Sequence, residues 1–233
     1  MKKIGIIVFV AALIIGVTVG SIFSFGKSSR PFFNFSFNFK GVKGSGNTAT
    51  DARNASGFKG VEVGGVFQVE VNAQKEFGVE VEADDNLLQY IRTDVRNGVL
   101  YIETSHKISP TSPIRVRVNA PEIEHLDVSG VANVTANNIK TGEFGIDSSG
   151  TSKVTVSGEA RKLTVDVSGA TKIDAENFQV GDATVDASGA SSVLLNITGE
   201  LKADASGASK ILFTGTPSRV FKSTSGGSRV SPK

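Results

Sequence analysis

Acidic side chains recur along this chain at a spacing that could build an extended anionic surface. Five segments share one pattern, in which an aspartate is followed two residues later by a Ser-Gly pair. On neighbouring parallel strands such aspartates would lie about 4.8 Å apart. The ladder could bind Ca²⁺ or a cationic surface, or each carboxylate could accept hydrogen bonds from the amides of the corner that follows. Its members are Asp127, Asp147, Asp166, Asp186 and Asp204.

A second polar column follows six residues after each aspartate and is mostly basic. We expect it to face outward across the Ser-Gly corner, where its charge partly offsets that of the aspartates. The glycine-rich calcium nonapeptide of other β-rolls is absent, so a structural role for the ladder is favoured over a calcium site, with a binding surface as the other alternative. The column comprises Asn133, Lys153, Lys172, Ser192, Lys210 and, in a degenerate copy near the C-terminus, Arg229.

Residues suited to acid–base or nucleophilic chemistry are scarce. The chain has no Cys, and neither of its two histidines, His106 and His125, has a second ligand at metal-site spacing. Asp84 and Asp85 resemble the paired acids of β-helical polysaccharide enzymes only generically, and a solvated turn is the simpler interpretation. No phosphate loop or dinucleotide fingerprint occurs. The sequence therefore predicts no catalytic residue, no cofactor and no metal.

The elements that position these columns are predicted by composition to be strands. Gly, Val, Ile, Thr and Ser are frequent, Trp is absent and long helical stretches are missing, a bias that favours strands and tight turns. Six of the 25 Lys and Arg residues lie in residues 1–45, which leaves 19 basic against 23 acidic residues in the remainder. That balance gives no electrostatic reason to expect a nucleic-acid partner.

The five aspartate segments are copies of an internal repeat that begins every 18–20 residues. An early copy, EVGGVFQVEV, begins at Glu62, and a degenerate copy, STSGGSRV, begins at Ser223. Residues that flank each aspartate, and those seven and nine places after it, are mostly apolar and are predicted to face inward. The conserved spacing places a glycine at each corner, where positive φ or a close backbone approach is needed. These corner glycines are Gly130, Gly150, Gly169, Gly189 and Gly207.

About 20 residues per repeat is typical of one coil of a β-solenoid, because a single coil cannot bury its inner face alone. The sequence thus predicts an all-β, right-handed parallel β-helix over residues 58–227, followed by a tail at 228–233. Within residues 58–121 the pattern is less regular. Asn97-Gly98 predicts a hairpin. Residues 84–91 are expected to form a helical turn or a crossover, and residues 113–121 are expected to form a further strand.

The N-terminal region predicts a membrane segment. Lys2 and Lys3 precede an uncharged apolar run over residues 4–25, long enough to span a bilayer as a helix. A signal anchor or a signal peptide within residues 1–26 is expected, with the body outside the cytoplasm. Residues 27–57 predict a Phe-rich juxtamembrane segment, in which Phe alternates with Asn and Ser, and a flexible Gly/Ser/Thr-rich linker over 41–57.

Several passages of the body resemble the GIN-domain family, described as auto-transporter adhesin head domains. The resemblance covers about residues 57–227 and implies a right-handed β-helical fold, a bacterial envelope setting and adhesion, with no catalytic residues to transfer. It is carried by the recurring D-x-SG corners and by GFKGVEVGGVFQVEV, VEVEADDNLLQYIRTDVRNGVLYIE and VRVNAPEIEHLDVSG.

Two classes of function fit these observations. One is a non-enzymatic, adhesin-like envelope protein that contacts a cell-wall, glycan or protein partner. The other is a carbohydrate-active β-helix enzyme, such as a polysaccharide lyase or hydrolase. Convergent carboxylates and bases in one groove would favour the enzyme, and a regular polar flank would favour the scaffold.

Overall fold

Strands account for most of the residues that the structure describes. The computed structural model describes residues 41–233, and the predicted all-β class is confirmed. The one helix within this range is a 3-10 helix at Asp85–Tyr90. The strands are β1 Val42–Lys43, β2 Thr48–Arg53, β3 Gly60–Asn72, β4 Gly78–Asp84, β5 Ile91–Arg96, β6 Val99–Thr104, β7 Ile108–Ser109, β8 Arg115–Asn119, β9 His125–Ser148, β10 Lys153–Val167, β11 Lys172–Ala187, β12 Ser192–Ile197, β13 Glu200–Ala205, β14 Lys210–Gly215, β15 Arg219–Thr224 and β16 Arg229–Pro232.

Two parallel ladders organise these strands. The first runs through β6, β3, β9, β10, β11, β13 and β15, and the second through β8, β3, β9, β10, β11, β12, β14 and β16. The long strands β3, β9, β10 and β11 contribute to both ladders because each bends without ending. β3 and β9 continue through the corners at Gly65 and Gly130, whereas β10 and β11 continue through a different bend, after Val156 and Ala175. Successive sequence repeats therefore pair with one another in parallel. We call each set of paired repeat residues a level of the stack.

The core lies between the ladders and follows the inward columns of the sequence. At one position of the second ladder, Val134, Val154, Ile173, Val193 and Ile211 pair in register and are each at most 1% exposed. Burial of one such side chain stabilises the fold by roughly 1.5–3 kcal/mol. A single continuous apolar column thus stabilises a chain that has no Cys and cannot form disulfides.

The less regular residues 58–121 add antiparallel strands at one end of the stack. β5 and β6 form the hairpin predicted from Asn97-Gly98, with φ of 51° and 78° at those two residues. β4 pairs antiparallel with both β2 and β8. The sequence predictions of a hairpin, a helical turn and a strand in this region are all confirmed.

Two predictions based on local composition are wrong. The supposed linker 41–57 contains β1 and β2, and β2 pairs with β4 over six residues. The supposed solvated turn at Asp84 is a buried carboxylate that accepts N–H bonds from Gly46 at 3.0 Å, Thr111 at 2.7 Å and Ser112 at 3.3 Å. These bonds hold the Gly/Ser-rich segment against the sheet, so its composition does not make it flexible.

The predicted C-terminal tail is also part of the sheet, since β16 pairs in parallel with β14. The predictions for the apolar run at 4–25 and the Phe-rich segment at 31–40 lie outside the described residues. Within residues 41–233, no helix is both long and apolar enough to cross a membrane.

Candidate interaction surface

The structure places the repeated aspartates in register on the first ladder. Asp147 pairs with Asp166, Asp166 with Asp186, and Asp186 with Asp204. These four are exposed, whereas Asp127 is half-buried. Because they alternate with the buried columns of the same strands, their carboxylates face outward.

Glu62 extends this acidic ladder by one level. It pairs with Asp127 in register and is half-buried. Sequence reasoning recognised an early repeat copy that begins at Glu62 but did not count it as a ladder member. The signal was present, because Glu62 occupies the position that aspartate holds in the later copies.

Burial and neighbouring like charges raise the pKa of two carboxyl groups at this end of the ladder. Burial, and then the neighbouring carboxylates of Asp127 and Glu103, raise the pKa of Glu62 above its usual range. Burial, and then Asp147, likewise raise the pKa of Asp127. His125 offsets part of this repulsion, since its Nε2 lies 3.3 Å from Asp147 Oδ2. Among residues 41–233, no group of three or more His, Asp or Glu side chains is arranged to hold a metal ion.

The basic column lies in register on the second ladder. Asn133 pairs with Lys153, Lys153 with Lys172, Lys172 with Ser192, and Ser192 with Lys210. The three lysines are exposed. An acidic ladder and a basic column therefore lie on either side of one corner and follow the stack for several levels.

The corner between the two columns is built from stacked glycines. Gly130, Gly150, Gly169, Gly189 and Gly207 have φ between 70° and 88°. A Cβ on Gly169 would lie 2.5 Å from the carbonyl oxygen of Gly150, and the other corner glycines are similarly close to the level before them. Both the backbone conformation and the approach of the next level thus require glycine.

Corner amides bond to the preceding level instead of to the aspartates. Thr151 N–H donates to Gly130 O at 2.8 Å, and Ala170 N–H donates to Gly150 O at 2.8 Å. The expected hydrogen bonds from these amides to the aspartate carboxylates are therefore not the ones that the described residues form. The corner amides therefore do not occupy the carboxylates of the ladder, of which Asp147 contacts His125.

A buried column of hydroxyl groups supports the inner side of each corner, and sequence reasoning missed it. Ser148 Oγ lies 2.6 Å from Ser152 Oγ, and Thr171, Ser191 and Ser209 each donate to a backbone carbonyl at 2.9–3.0 Å. All five are at most 6% exposed. For four of them the sequence signal was a small hydroxyl residue five places after the repeat aspartate, whereas Ser148 follows Asp147 directly. The role is structural, because buried polar groups need partners.

A shallow groove of about 660 Å³ lies on a third side of the stack. Its charged lining residues are Glu122, Lys140, Glu159 and Arg161. Glu122 is bound to Lys59 at 2.8 Å, and Glu159 is bound to Lys140 at 2.9 Å. The bond to Glu159 raises the pKa of Lys140, so this ammonium stays protonated and does not suit a general base. Both carboxylates that line the groove are therefore engaged in ion pairs with lysine.

Comparison with known proteins identifies the family. A family model described as "Putative auto-transporter adhesin, head GIN domain" matches residues 57–217, whereas no curated protein matches the sequence. A solved structure described as a "putative adhesin" from Bacteroides fragilis NCTC 9343 is 18% identical, covers 83% of this chain and 100% of its own, and has a TM-score of 0.69. Another from Parabacteroides merdae ATCC 43184 is 21% identical, covers 82% and 98%, and has a TM-score of 0.50.

At these identities the two solved structures show a likeness of fold, and the match of the family model covers most of the chain. The D-x-SG corners and the passages from residue 57 onward lie inside the matched range. The resemblance seen in the sequence is confirmed: the chain belongs to the family of auto-transporter adhesin head GIN domains.

Proposed function

We propose that this protein is a non-enzymatic, adhesin-like interaction scaffold of the cell envelope, exposed outside the cytoplasm. The observation that carries the proposal is the pair of register-matched charged columns on either side of the glycine corner. An extended, regular, charged flank fits a polymer or a protein surface better than one small substrate. Other members of the fold are described as adhesins, which supports the same reading.

The architecture that we propose for this scaffold is a right-handed parallel β-helix of about 20 residues per coil. In this interpretation each level of the stack is one coil, and its inward residues form one shared core. The register of Val154, Ile173 and Val193 and the family resemblance support it. A crystal structure in which consecutive corners advance around a common axis with the opposite hand would contradict it.

We also propose that residues 4–25 attach the protein to a membrane or direct its export. The uncharged run of the sequence supports the proposal, and roughly 20 apolar residues suffice to span a bilayer. Full-length protein should fractionate with membranes, or be secreted after cleavage, and added protease should digest its body in intact cells. Recovery of uncleaved protein in the cytosol would contradict the proposal.

The proposed binding function is tested by measuring the retention of full-length protein on a panel of acidic and neutral polysaccharides and cell-wall preparations. Retention should weaken as salt rises, because exposed charges are screened beyond about 8–10 Å at physiological ionic strength. Replacement of Lys153 and Lys172 with Gln should weaken binding to acidic material. Thr164→Ala and Thr184→Ala, at exposed positions of the same strands, are the matched controls and should leave retention unchanged.

The alternative is a carbohydrate-active enzyme, and one observation favours it: Glu62 and Asp127 are adjacent carboxyl groups with raised pKa values near His125. Incubation with the same polysaccharides distinguishes the two. Release of reducing ends or of unsaturated sugars, abolished by Glu62→Gln or Asp127→Asn, would establish turnover and overturn the scaffold proposal.

A further inference from the structure

The last level of the stack, which comprises β15 and β16, leaves apolar side chains in solvent. β15 pairs only with β13, and all six of its residues are exposed. Val220 is 39% exposed and Phe221 is 52% exposed. They are two of the five large apolar side chains that are exposed among residues 41–233, and they are neighbours on one edge strand.

This end of the chain is also strongly basic. No acidic residue follows Asp204, whereas five basic residues do, at Lys210, Arg219, Lys222, Arg229 and Lys233. Residues 46–204 contain 14 basic and 23 acidic residues. Arg219 is ion-paired with Glu200 at 2.9 Å and Lys233 with Glu176 at 2.6 Å. Within the part of the chain that the structure describes, Lys222 and Arg229 form no ion pair with a carboxylate. The charge of the body is therefore polarised along the sequence, and its final level presents cations beside apolar groups.

The position of Lys222 decides what kind of partner can cover this end. Lys222 pairs in register with Ala203, which lies in the buried column of the preceding level. A second copy or another sheet stacked here would bury an ammonium group without a counter-charge, which is costly. A lysine on an edge strand is a known obstacle to strand pairing. At a lipid interface the same side chain could bury its stem and keep its charge among the headgroups.

We propose that the terminal basic surface, made of Arg219, Val220, Phe221, Lys222 and Arg229, docks on a bilayer that contains anionic phospholipid. Val220 and Phe221 enter the interface, and Lys222 and Arg229 contact headgroup phosphates. Each basic side chain near an anionic surface contributes roughly fivefold to affinity, and apolar burial adds to it. These five residues lie beyond the range that the family model matches, 57–217, and the proposal does not depend on the scaffold function.

The absence of Cys from the sequence permits a test with a single introduced thiol on the full-length protein. Ser223→Cys places an environment-sensitive NBD dye on β15, and Thr184→Cys places it at an exposed position of β11, in the middle of the stack. Phosphatidylcholine vesicles with and without phosphatidylserine are added. Blue-shifted emission is expected from the Ser223 site alone, with phosphatidylserine alone, and should be lost at high salt. Because the readout is local, attachment of the vesicle at the other end of the chain does not produce it.

Charge and apolar variants then separate the contributions. In the Ser223→Cys protein, Lys222→Gln with Arg229→Gln should lower the apparent vesicle affinity roughly 30-fold. The control pair Lys75→Gln with Arg92→Gln removes the same charge from exposed positions outside both the terminal level and the basic column, and should leave the affinity unchanged. Phe221→Ser should reduce the blue shift, and far-UV circular dichroism checks that each variant folds.

Three outcomes would overturn the proposal. One is an equal dye response on vesicles without phosphatidylserine, and another is an equal loss in the control pair. The third is a response without vesicles that grows with protein concentration, which would show instead that copies of the chain pair through β15.

Discussion

At the scale of single residues, the corner glycines and the crowded carboxylates have opposite effects on stability. Gly169 provides a conformation and a space that no other residue can supply, because its missing Cβ is where the Gly150 carbonyl lies. Glu62 and Asp127, by contrast, stay next to one another at a cost that their raised pKa values reveal.

Gly169→Ala should destabilise the protein by more than Gly57→Ala does. Both glycines have positive φ, at 79° and 76°, but only at Gly169 would the new Cβ meet another atom within 4 Å. The left-handed conformation alone costs about 1–2 kcal/mol, and the clash at Gly169 should add about 1 kcal/mol or more. Urea unfolding followed by circular dichroism measures both, because the chain has no Trp. Equal losses at the two positions would show that the levels do not stack through these corners.

Glu62→Gln should stabilise the protein at neutral pH. A raised pKa means that the folded state binds the proton more tightly than the unfolded chain does, so this group favours folding at low pH and opposes it once ionised. The advantage of Gln should be greatest at neutral pH and should disappear below the ordinary value of about 4.5. Melting temperatures across this pH range measure it, with Glu76→Gln at an exposed position as the control. A lower melting temperature for Glu62→Gln at neutral pH would rule out charge repulsion as the cause.

At the scale of elements, one carboxylate fixes the segment that precedes the repeats. Asp84 ends β4 and accepts backbone N–H bonds from residues on both sides of it in sequence, at Gly46 and at Thr111 and Ser112. Burial opposes ionisation, but these bonds outweigh it and hold the pKa of Asp84 below its usual range. An ionised side chain thus ties the residues that precede β2 and β8 to the end of β4.

Asp84→Asn should lower the stability at neutral pH and reduce its dependence on pH. A lowered pKa contributes stability that is complete above the ordinary value of 3.8 and is lost as the pH falls through the folded-state value. The variant lacks this titration, so its melting temperature should differ most from that of the unchanged protein at neutral pH and should approach it in acid. Asp51→Asn, which removes a partly exposed carboxylate from β2, should have a small effect. Equal effects of the two substitutions would contradict this account.

At the scale of the whole molecule, the stack has a protected middle and less protected ends. β10 and β11 pair on both sides along their length, whereas β15 and β16 pair on one side only. Charge is distributed unevenly as well, since the acidic ladder ends at Asp204 and every charged residue after it is basic. Stability and electrostatics are therefore both graded along the chain.

Amide hydrogen exchange should follow this gradient. Amides of β10 and β11 are expected to exchange slowest, and those of β15 and β16 fastest, because stacked repeats are stabilised mainly by their nearest neighbours. Mass spectrometry of peptides from exchanged protein resolves these strands. Uniform exchange from β9 to β16 would indicate a single cooperative unit instead.

The sequence by itself determined the features that repeat. The inward column from Val134 to Ile211, the corner glycines and the outward aspartates all follow from alternation and spacing, which local residue types encode. The hairpin at Asn97-Gly98 was equally predictable, because that turn needs positive φ at both residues. These features depend on residues close together in sequence, or on copies of one motif.

Only the tertiary structure decided the features that depend on distant partners. The composition of residues 41–57 predicts a linker, but Asp84 and β4 supply hydrogen-bond partners for this segment. In the bond from Gly46 to Asp84 the two residues are 38 positions apart in the sequence. The sequence allowed the corner amides to bond to the aspartates beside them, but in the structure they donate to carbonyl oxygens of the preceding level. Composition specifies what each segment can bond to, and the position of the remaining chain selects among those bonds.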